Sequence, residues 1–122
     1  MNKSIIVKTV LTLALLTAGI GIAVAGDDVD KLVAHARAAA PAAIGAGATV
    51  VIDGEVVVEG NNGWTCMPEV MAGDGAAVCI DAVWGEMMAA IGAKAAFTTP
   101  GLGISYMLLG DPPGGGVSNS DP

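Results

Sequence analysis

The chain has 122 residues, of which 53% are hydrophobic and 14% are charged, and twelve acidic residues against five basic ones give a net charge of −7. This acidic balance makes nucleic acids and anionic lipid surfaces poor partners. It does not identify any other partner.

The first 25 residues have the three parts of a secretory signal peptide. Lys3 and Lys8 form a positive start, residues 9–22 form an apolar middle, and Ala23 and Ala25 occupy the cleavage positions. The alternative is an uncleaved membrane anchor, because the uncharged run approaches the roughly 18 residues that span a bilayer. The small residues and the acids that follow them favour cleavage after Ala25 and export to the periplasm or the extracellular space.

Cleavage leaves 122 − 25 = 97 residues, which predict one domain over residues 26–111 and a flexible tail over residues 112–122. A domain of this size buries roughly 65% of its unfolded surface, enough for a small core. The exported chain keeps three basic residues and all twelve acids, so its net charge is 3 − 12 = −9. Its sequence predicts no membrane span after cleavage.

Residues 27–40 predict an amphipathic helix that ends before Pro41. Its apolar positions recur at helical spacing, and its acids stand at the N-terminal end, where the helix dipole favours them. The apolar stripe consists of Val29, Leu32, Val33, Ala36 and Ala40. His35, the one histidine of the chain, lies off this stripe and is expected on the solvent side.

The clearest local signal is a β-hairpin. Two β-branched runs, Thr49–Ile52 and residues 55–59, flank Asp53-Gly54, a dipeptide that suits a two-residue turn with positive φ at both positions. The valines run without polar residues between them, so we expect both faces of the hairpin to be covered at least in part.

Beyond a loop, residues 80–94 predict a second amphipathic helix and residues 103–110 a third strand. The helix positions that share one face are Ile80, Val83, Trp84, Met87 and Ile91. An isolated hairpin is marginally stable, so we expect the third strand to join it and the second helix to pack on the sheet. The predicted fold is a small α+β domain with an N-terminal helix, a β-hairpin, a disulfide-bridged loop, a second helix and a third strand.

Two cysteines and two tryptophans lie close together in the sequence. Cys66 and Cys79 are thirteen positions apart, which in an exported chain favours a structural disulfide worth about 3 kcal/mol. The alternative is a reactive thiol at Cys79, ahead of the second helix. Trp64 and Trp84 are predicted core residues, and the two pairs together predict one clasp between the hairpin's exit and that helix.

The methionines raise the hypothesis of a soft-metal site. Thioether sulfur prefers Cu(I), and the candidate ligands are Met67, Met71, Met87, Met88, Met107 and His35. Methionine also fills irregular gaps in small cores, and Met87 shares a helix face with Trp84. We therefore predict no cofactor and keep copper binding as an alternative.

Catalysis has little support in these residues. A Ser-His-Asp triad would need His35, and Ser105 lies in G-I-S-Y-M rather than in a nucleophile elbow. Asp53 and Glu55 flank a turn and are most simply solvated, and the chain has no metal-ligand spacing of histidines and carboxylates. The pattern favours a non-enzymatic protein.

Six short motifs run through the exported chain. They are R-A-A-A-P-A at residues 37–42, A-T-V-V at 48–51, N-G-W-T-C-M-P at 62–68, C-I-D-A-V-W at 79–84, G-I-S-Y-M-L-L-G-D at 103–111 and S-N-S-D-P at 118–122. Together they resemble a family of uncharacterised exported bacterial proteins. The resemblance implies no catalytic role. It also implies that members continue past the last motif, so this chain looks C-terminally short beside them.

These features favour an exported small domain with a structural or binding role and without enzymatic activity. Two alternatives stay open. One is a copper-binding protein, and the other is an enzyme whose site lies partly beyond the C-terminus of this chain.

Overall fold

The computed structural model describes residues 26–99 and 101–110. The predicted signal peptide, residues 1–25, and the predicted tail, residues 112–122, lie outside these ranges. The described chain forms α1 (Gly26–Arg37), α2 (Ala42–Gly45), β1 (Thr49–Ile52), β2 (Glu55–Val58), β3 (Thr65–Met67), β4 (Val78–Ile80), α3 (Ala82–Gly92) and β5 (Ser105–Tyr106). This architecture confirms the predicted α+β class.

The five strands form one mixed sheet in the order β2-β1-β3-β4-β5. β1 runs antiparallel to β2 and parallel to β3, and the β3–β4 and β4–β5 pairs are antiparallel. The β1–β2 hairpin confirms the prediction, because Asp53 and Gly54 have φ angles of 51° and 81°, as its two-residue turn requires.

The sheet differs from the prediction in two places. The loop expected between the hairpin and the second helix contains β3 and β4, and β3 is the strand that pairs with the hairpin. The predicted third strand is reduced to β5, which pairs with β4 instead of the hairpin. Strands of two or three residues are too short to show an alternating pattern, so the sequence carries no periodic signal for them.

Helix α1 covers one face of the sheet with small side chains. The buried cluster consists of Ala36, Ala39, Ala40, Ala48, Val50, Cys66, Ala77 and Cys79. Alanines let the helix approach closely, and the Cys79 Sγ lies 3.4 Å from the carbonyl oxygen of Ala36. The predicted apolar stripe of α1 is therefore partly right, because Ala36 and Ala40 are buried whereas Leu32 remains 40% exposed.

Helix α3 lies on the opposite face and is anchored at its N-terminal end. The N–H of Trp84 donates to Asp81 Oδ1 at 2.8 Å, and the N–H of Ile104 donates to Asp81 Oδ2 at 2.9 Å. Every residue of α3 keeps some solvent exposure, and Ile91 near its end is 61% exposed. The predicted packing of this helix on the sheet is therefore incomplete, and a cleft remains between them.

Candidate functional site

The cleft between α3 and the sheet has a volume of about 390 Å³. Its lining consists of Met67, Val70, Val78, Ile80, Trp84, Gly85, Met88, Ser105 and Met107. We call it the methionine cleft, because three of these residues are methionines. Its volume falls within the roughly 300–1,000 Å³ of small-molecule pockets.

Strand register assembles the floor of the methionine cleft. Met67 of β3 pairs with Val78 of β4, and Ile80 of β4 pairs with Ser105 of β5. Successive side chains of a strand point to opposite faces of the sheet. These four side chains therefore share the face opposite to the disulfide and α1.

The wall of the methionine cleft comes from the first turns of α3. Trp84 and Met88 are four residues apart, so they lie on the same side of the helix. Gly85 stands between them, and a Cβ there would lie 3.8 Å from Ile80 Cδ1, in ordinary contact. The missing side chain at Gly85 keeps this end of the cleft open. Met88 is 45% exposed, so the cleft also opens to solvent.

The lining is apolar and polarisable. Among its nine residues, the Ser105 hydroxyl and the Trp84 indole N–H are the polar side-chain groups, and none of the nine side chains is acidic or basic. Thioethers adapt their shape and make favourable contacts with aromatic rings. The cleft is thus suited to binding an apolar or soft ligand and poorly suited to acid–base chemistry.

The loop between β3 and β4 forms the rim of the cleft and is held by carboxylates. Asp74 accepts hydrogen bonds from the N–H groups of Val70, Met71 and Ala76 at 3.2, 2.9 and 2.9 Å. The Ala76 bond is the main cause that lowers the pKa of Asp74 below its ordinary value of 3.8, and the Met71 and Val70 bonds add to it against the opposing effect of desolvation. The loop therefore holds Val70 in place at the rim.

His35 supports the same loop from α1. The carbonyl oxygen of Gly75 accepts a hydrogen bond from His35 Nε2 at 2.9 Å. Within the loop, Glu69 Oε2 accepts from the N–H of Gly73 at 2.8 Å. His35 is partly exposed and lies outside the lining of the methionine cleft. Its contact is with the loop backbone instead of with the methionines.

The predicted disulfide is present between Cys66 and Cys79. The two residues face each other across β3 and β4, and both side chains are fully buried. Because these are the two cysteines of the chain, the alternative of a reactive thiol at Cys79 is wrong for this structure.

The two tryptophans lie on different faces of the sheet. Trp64 packs against the buried cluster on the disulfide side, and its ring centroid lies 5.4 Å from that of Tyr106. Trp84 lines the methionine cleft on the other side. Trp64 stands two positions before Cys66 and therefore lies on the same face of the sheet as the disulfide. The predicted single clasp is wrong in one part, because Trp84 lies on the opposite face.

The structure gathers three of the five candidate methionine ligands. Met67, Met88 and Met107 line the methionine cleft, whereas Met71 is 71% exposed in the loop and Met87 lies outside the lining. Within residues 26–99 and 101–110, no group of three His, Cys, Asp or Glu side chains is placed to hold a metal.

The sequence names Met87 and Met88 as candidate ligands but predicts Met87, and not Met88, on the inner face of α3. It gives no indication that Gly85 or Ser105 belongs to the lining. The spacing of four residues between Trp84 and Met88 does predict that Met88 lies on the same side of the helix as Trp84. The roles of Gly85 and Ser105 depend on the β4–β5 pairing, which has no local signal.

Comparison with protein-family models, curated proteins and solved structures finds no match to this chain. The resemblance carried by the six motifs therefore stays a prediction. Every helix in the described part of the chain is too short or too polar to cross a membrane.

Proposed function

We propose that this chain is an exported, non-enzymatic domain with a binding role, and that the methionine cleft is its binding site. The observation that carries this proposal is an unfilled apolar cleft of about 390 Å³ in a small domain. Three methionines and Trp84 line it, so the ligand that fits best is small and either apolar or soft.

The energetic reason is the apolar sheet face that α3 leaves uncovered. Burial of apolar surface is favourable by roughly 25 cal/mol per Å². A ligand that enters the methionine cleft removes parts of Met67, Met88 and Trp84 from water. Because it binds the folded state alone, such a ligand also raises the stability of the domain.

The chemistry of the lining supports binding over catalysis. General acid–base and nucleophilic mechanisms use ionisable or activated side chains at hydrogen-bond distance from the substrate. The lining of the cleft offers the Ser105 hydroxyl and the Trp84 indole N–H as its polar side-chain groups, and no histidine or carboxylate is among the lining residues.

Two features support export. The first 25 residues carry the signal-peptide pattern, and the Cys66–Cys79 disulfide suits an oxidising compartment. Export predicts that the chain recovered from the periplasm or the medium begins at Gly26. Intact-mass measurement of that fraction checks the cleavage site, and a mass that still includes residues 1–25 would contradict it.

Binding to the cleft is tested with an environment-sensitive amphiphilic dye, anilinonaphthalene sulfonate, whose aromatic rings are apolar, titrated into the oxidised chain. We expect saturable binding at one site. Gly85→Leu adds a side chain directed at Ile80 and should abolish it. Gly92→Leu is the matched control on the same helix, because a Cβ there would meet no described atom within 4 Å.

Near-UV circular dichroism must accompany the titration, because this dye also binds loosely packed states. Gly85→Ala gives an intermediate variant that adds a single methyl in ordinary contact with Ile80. Equal dye binding by folded Gly85→Leu and Gly92→Leu would contradict the proposal, as would a wild-type chain that shows no saturable binding.

A further inference from the structure

The three methionines of the cleft come from separate parts of the fold. Met67 lies in β3, Met88 in α3, and Met107 directly after β5. We infer that the methionine cleft binds one Cu(I) ion through these three thioethers, beside the indole ring of Trp84. This inference rests on the proposed binding role of the cleft and names its ligand.

The donor set selects a soft, singly charged ion. Thioether sulfur suits Cu(I), whereas Mg²⁺ and Ca²⁺ require several oxygen ligands and Zn²⁺ favours imidazole and thiolate. Ser105 supplies the one side-chain oxygen in the lining. The cleft is thus matched to Cu(I) and mismatched to the common hard cations.

Gap filling does not account for these methionines. A methionine that fills a core gap leaves no space beside it, but here three of them border about 390 Å³ of unfilled volume. Met88 is also 45% exposed, so the cleft is open to solvent at this methionine. The methionines line a space instead of closing it.

The charge of the chain favours a cation in the cleft. The exported chain has a net charge of 3 − 12 = −9, which raises the local concentration of cations. Inside the cleft, an aromatic ring attracts a cation through its negative face, and Trp84 is the ring that lines it. A cation held over the face of this ring would be stabilised without an ion pair.

Stronger soft ligands are engaged elsewhere. Both cysteines form the disulfide, and His35 Nε2 bonds the carbonyl oxygen of Gly75 at 2.9 Å. If the oxidised chain binds Cu(I), the ligands would therefore be thioether sulfurs. Met71, exposed in the rim loop, offers the same chemistry outside the cleft.

The test is an anaerobic titration of the oxidised full chain with Cu(I) against a chromophoric Cu(I) chelator. Ascorbate keeps the copper reduced, and intact mass confirms that the disulfide survives. We expect one equivalent to bind. Met67→Leu, Met88→Leu and Met107→Leu keep side-chain volume and should each weaken binding by about tenfold or more, since even groups that only orient a ligand contribute that much.

Met71→Leu is the control and should leave Cu(I) affinity unchanged. The inference is overturned if Cu(I) does not compete with the chelator, if Met71→Leu weakens binding as much as the cleft variants do, or if the triple cleft variant still binds. Dye binding in the cleft without Cu(I) binding would overturn this inference while leaving the proposed function intact. Loss of both would overturn both.

Discussion

At the scale of single residues, two glycines have opposite roles. Gly60 follows β2 and lies against the start of β1, where its N–H donates to Thr49 Oγ1 at 3.0 Å. A Cβ at Gly60 would collide with the backbone of Thr49, Ala48 and Gly47. A Cβ at Gly85 would make ordinary contact with one side chain. The first glycine is needed for close approach, and the second is not.

We predict that Gly60→Ala lowers the free energy of unfolding by about 2 kcal/mol or more, because backbone must move to admit the methyl group. Gly85→Ala should raise it by up to about 1 kcal/mol, because alanine is the better helix former. Urea unfolding of the two variants measures both effects. Equal stability of Gly60→Ala and the wild-type chain would contradict the observed packing.

A second residue-scale prediction concerns Asp74 and pH. Its folded pKa is lowered below the ordinary 3.8, so its stabilising effect is present above that value and is lost as pH falls through the folded pKa. Asp74→Asn should therefore flatten the dependence of stability on pH below about 4. Thermal unfolding between acidic and neutral pH measures this, with Asp28→Asn as a surface control. An unchanged pH profile in Asp74→Asn would refute it.

At the scale of elements, α3 depends on the residue before it. Asp81 caps the helix through one oxygen and holds the segment before β5 through the other. Its own N–H donates to the carbonyl oxygen of Ile104 at 3.0 Å. Gly103 lies against the backbone of Trp84, where a Cβ would come within 3.1 Å. The wall of the methionine cleft and the β5 segment are thus positioned by one carboxylate.

We predict that substitutions of Asp81 lower stability and dye binding in proportion to the number of acceptor oxygens that they remove. Asp81→Ala removes both acceptors and should lower the free energy of unfolding by about 1–2 kcal/mol. It should also abolish dye binding in the cleft. Asp81→Asn keeps one oxygen acceptor and should fall between this variant and the wild-type chain. Urea unfolding and dye titration of the same samples measure the two effects. If Asp81→Ala kept full stability, the cap would not be what anchors α3.

At the scale of the whole molecule, the disulfide joins the two central elements of the core. It links β3 to β4 directly beneath α1, and the sulfur atoms belong to the buried cluster. A chain with few large buried side chains gains much of its stability from such a bridge. Val50, Cys66 and Cys79 are the largest fully buried side chains among the described residues.

We predict that Cys66→Ala/Cys79→Ala lowers the free energy of unfolding by about 3 kcal/mol, the value expected for a loop of this length. Because both sulfur atoms are buried, a thiol reductant should cleave the bridge only as fast as the domain opens. Unfolding curves with and without reductant measure the first effect, and the rate of thiol release measures the second. Rapid reduction under native conditions would contradict the buried placement.

The sequence predicts local features of this fold better than long-range ones. The hairpin follows from Asp53-Gly54, and the disulfide follows from two cysteines in a chain with a signal-peptide pattern. Strands β3 and β4 were not predicted, because a strand of three residues shows no alternating pattern and because their pairing is set by contacts distant in sequence. The placement of Trp64 and Trp84 on opposite faces was not predicted either, because it depends on the same long-range strand pairing.

The candidate site was predictable only in part. Composition drew attention to the methionines, but which of them meet is a property of the sheet register and of the position of α3. Met67 and Met107 are brought together by β4 lying between β3 and β5. Met88 joins them because α3 is anchored at its start. The sequence holds these residues 19 or more positions apart, beyond the reach of periodicity.

The central claim is that the methionine cleft binds a ligand. It is tested most directly by nuclear magnetic resonance of isotope-labelled methionine methyl groups in the oxidised chain, titrated with anilinonaphthalene sulfonate. We predict that the signals of Met67, Met88 and Met107 shift together and saturate, while the signal of Met71 does not shift. Three unmoved cleft methionines, or a shift at Met71 as large as theirs, would contradict it.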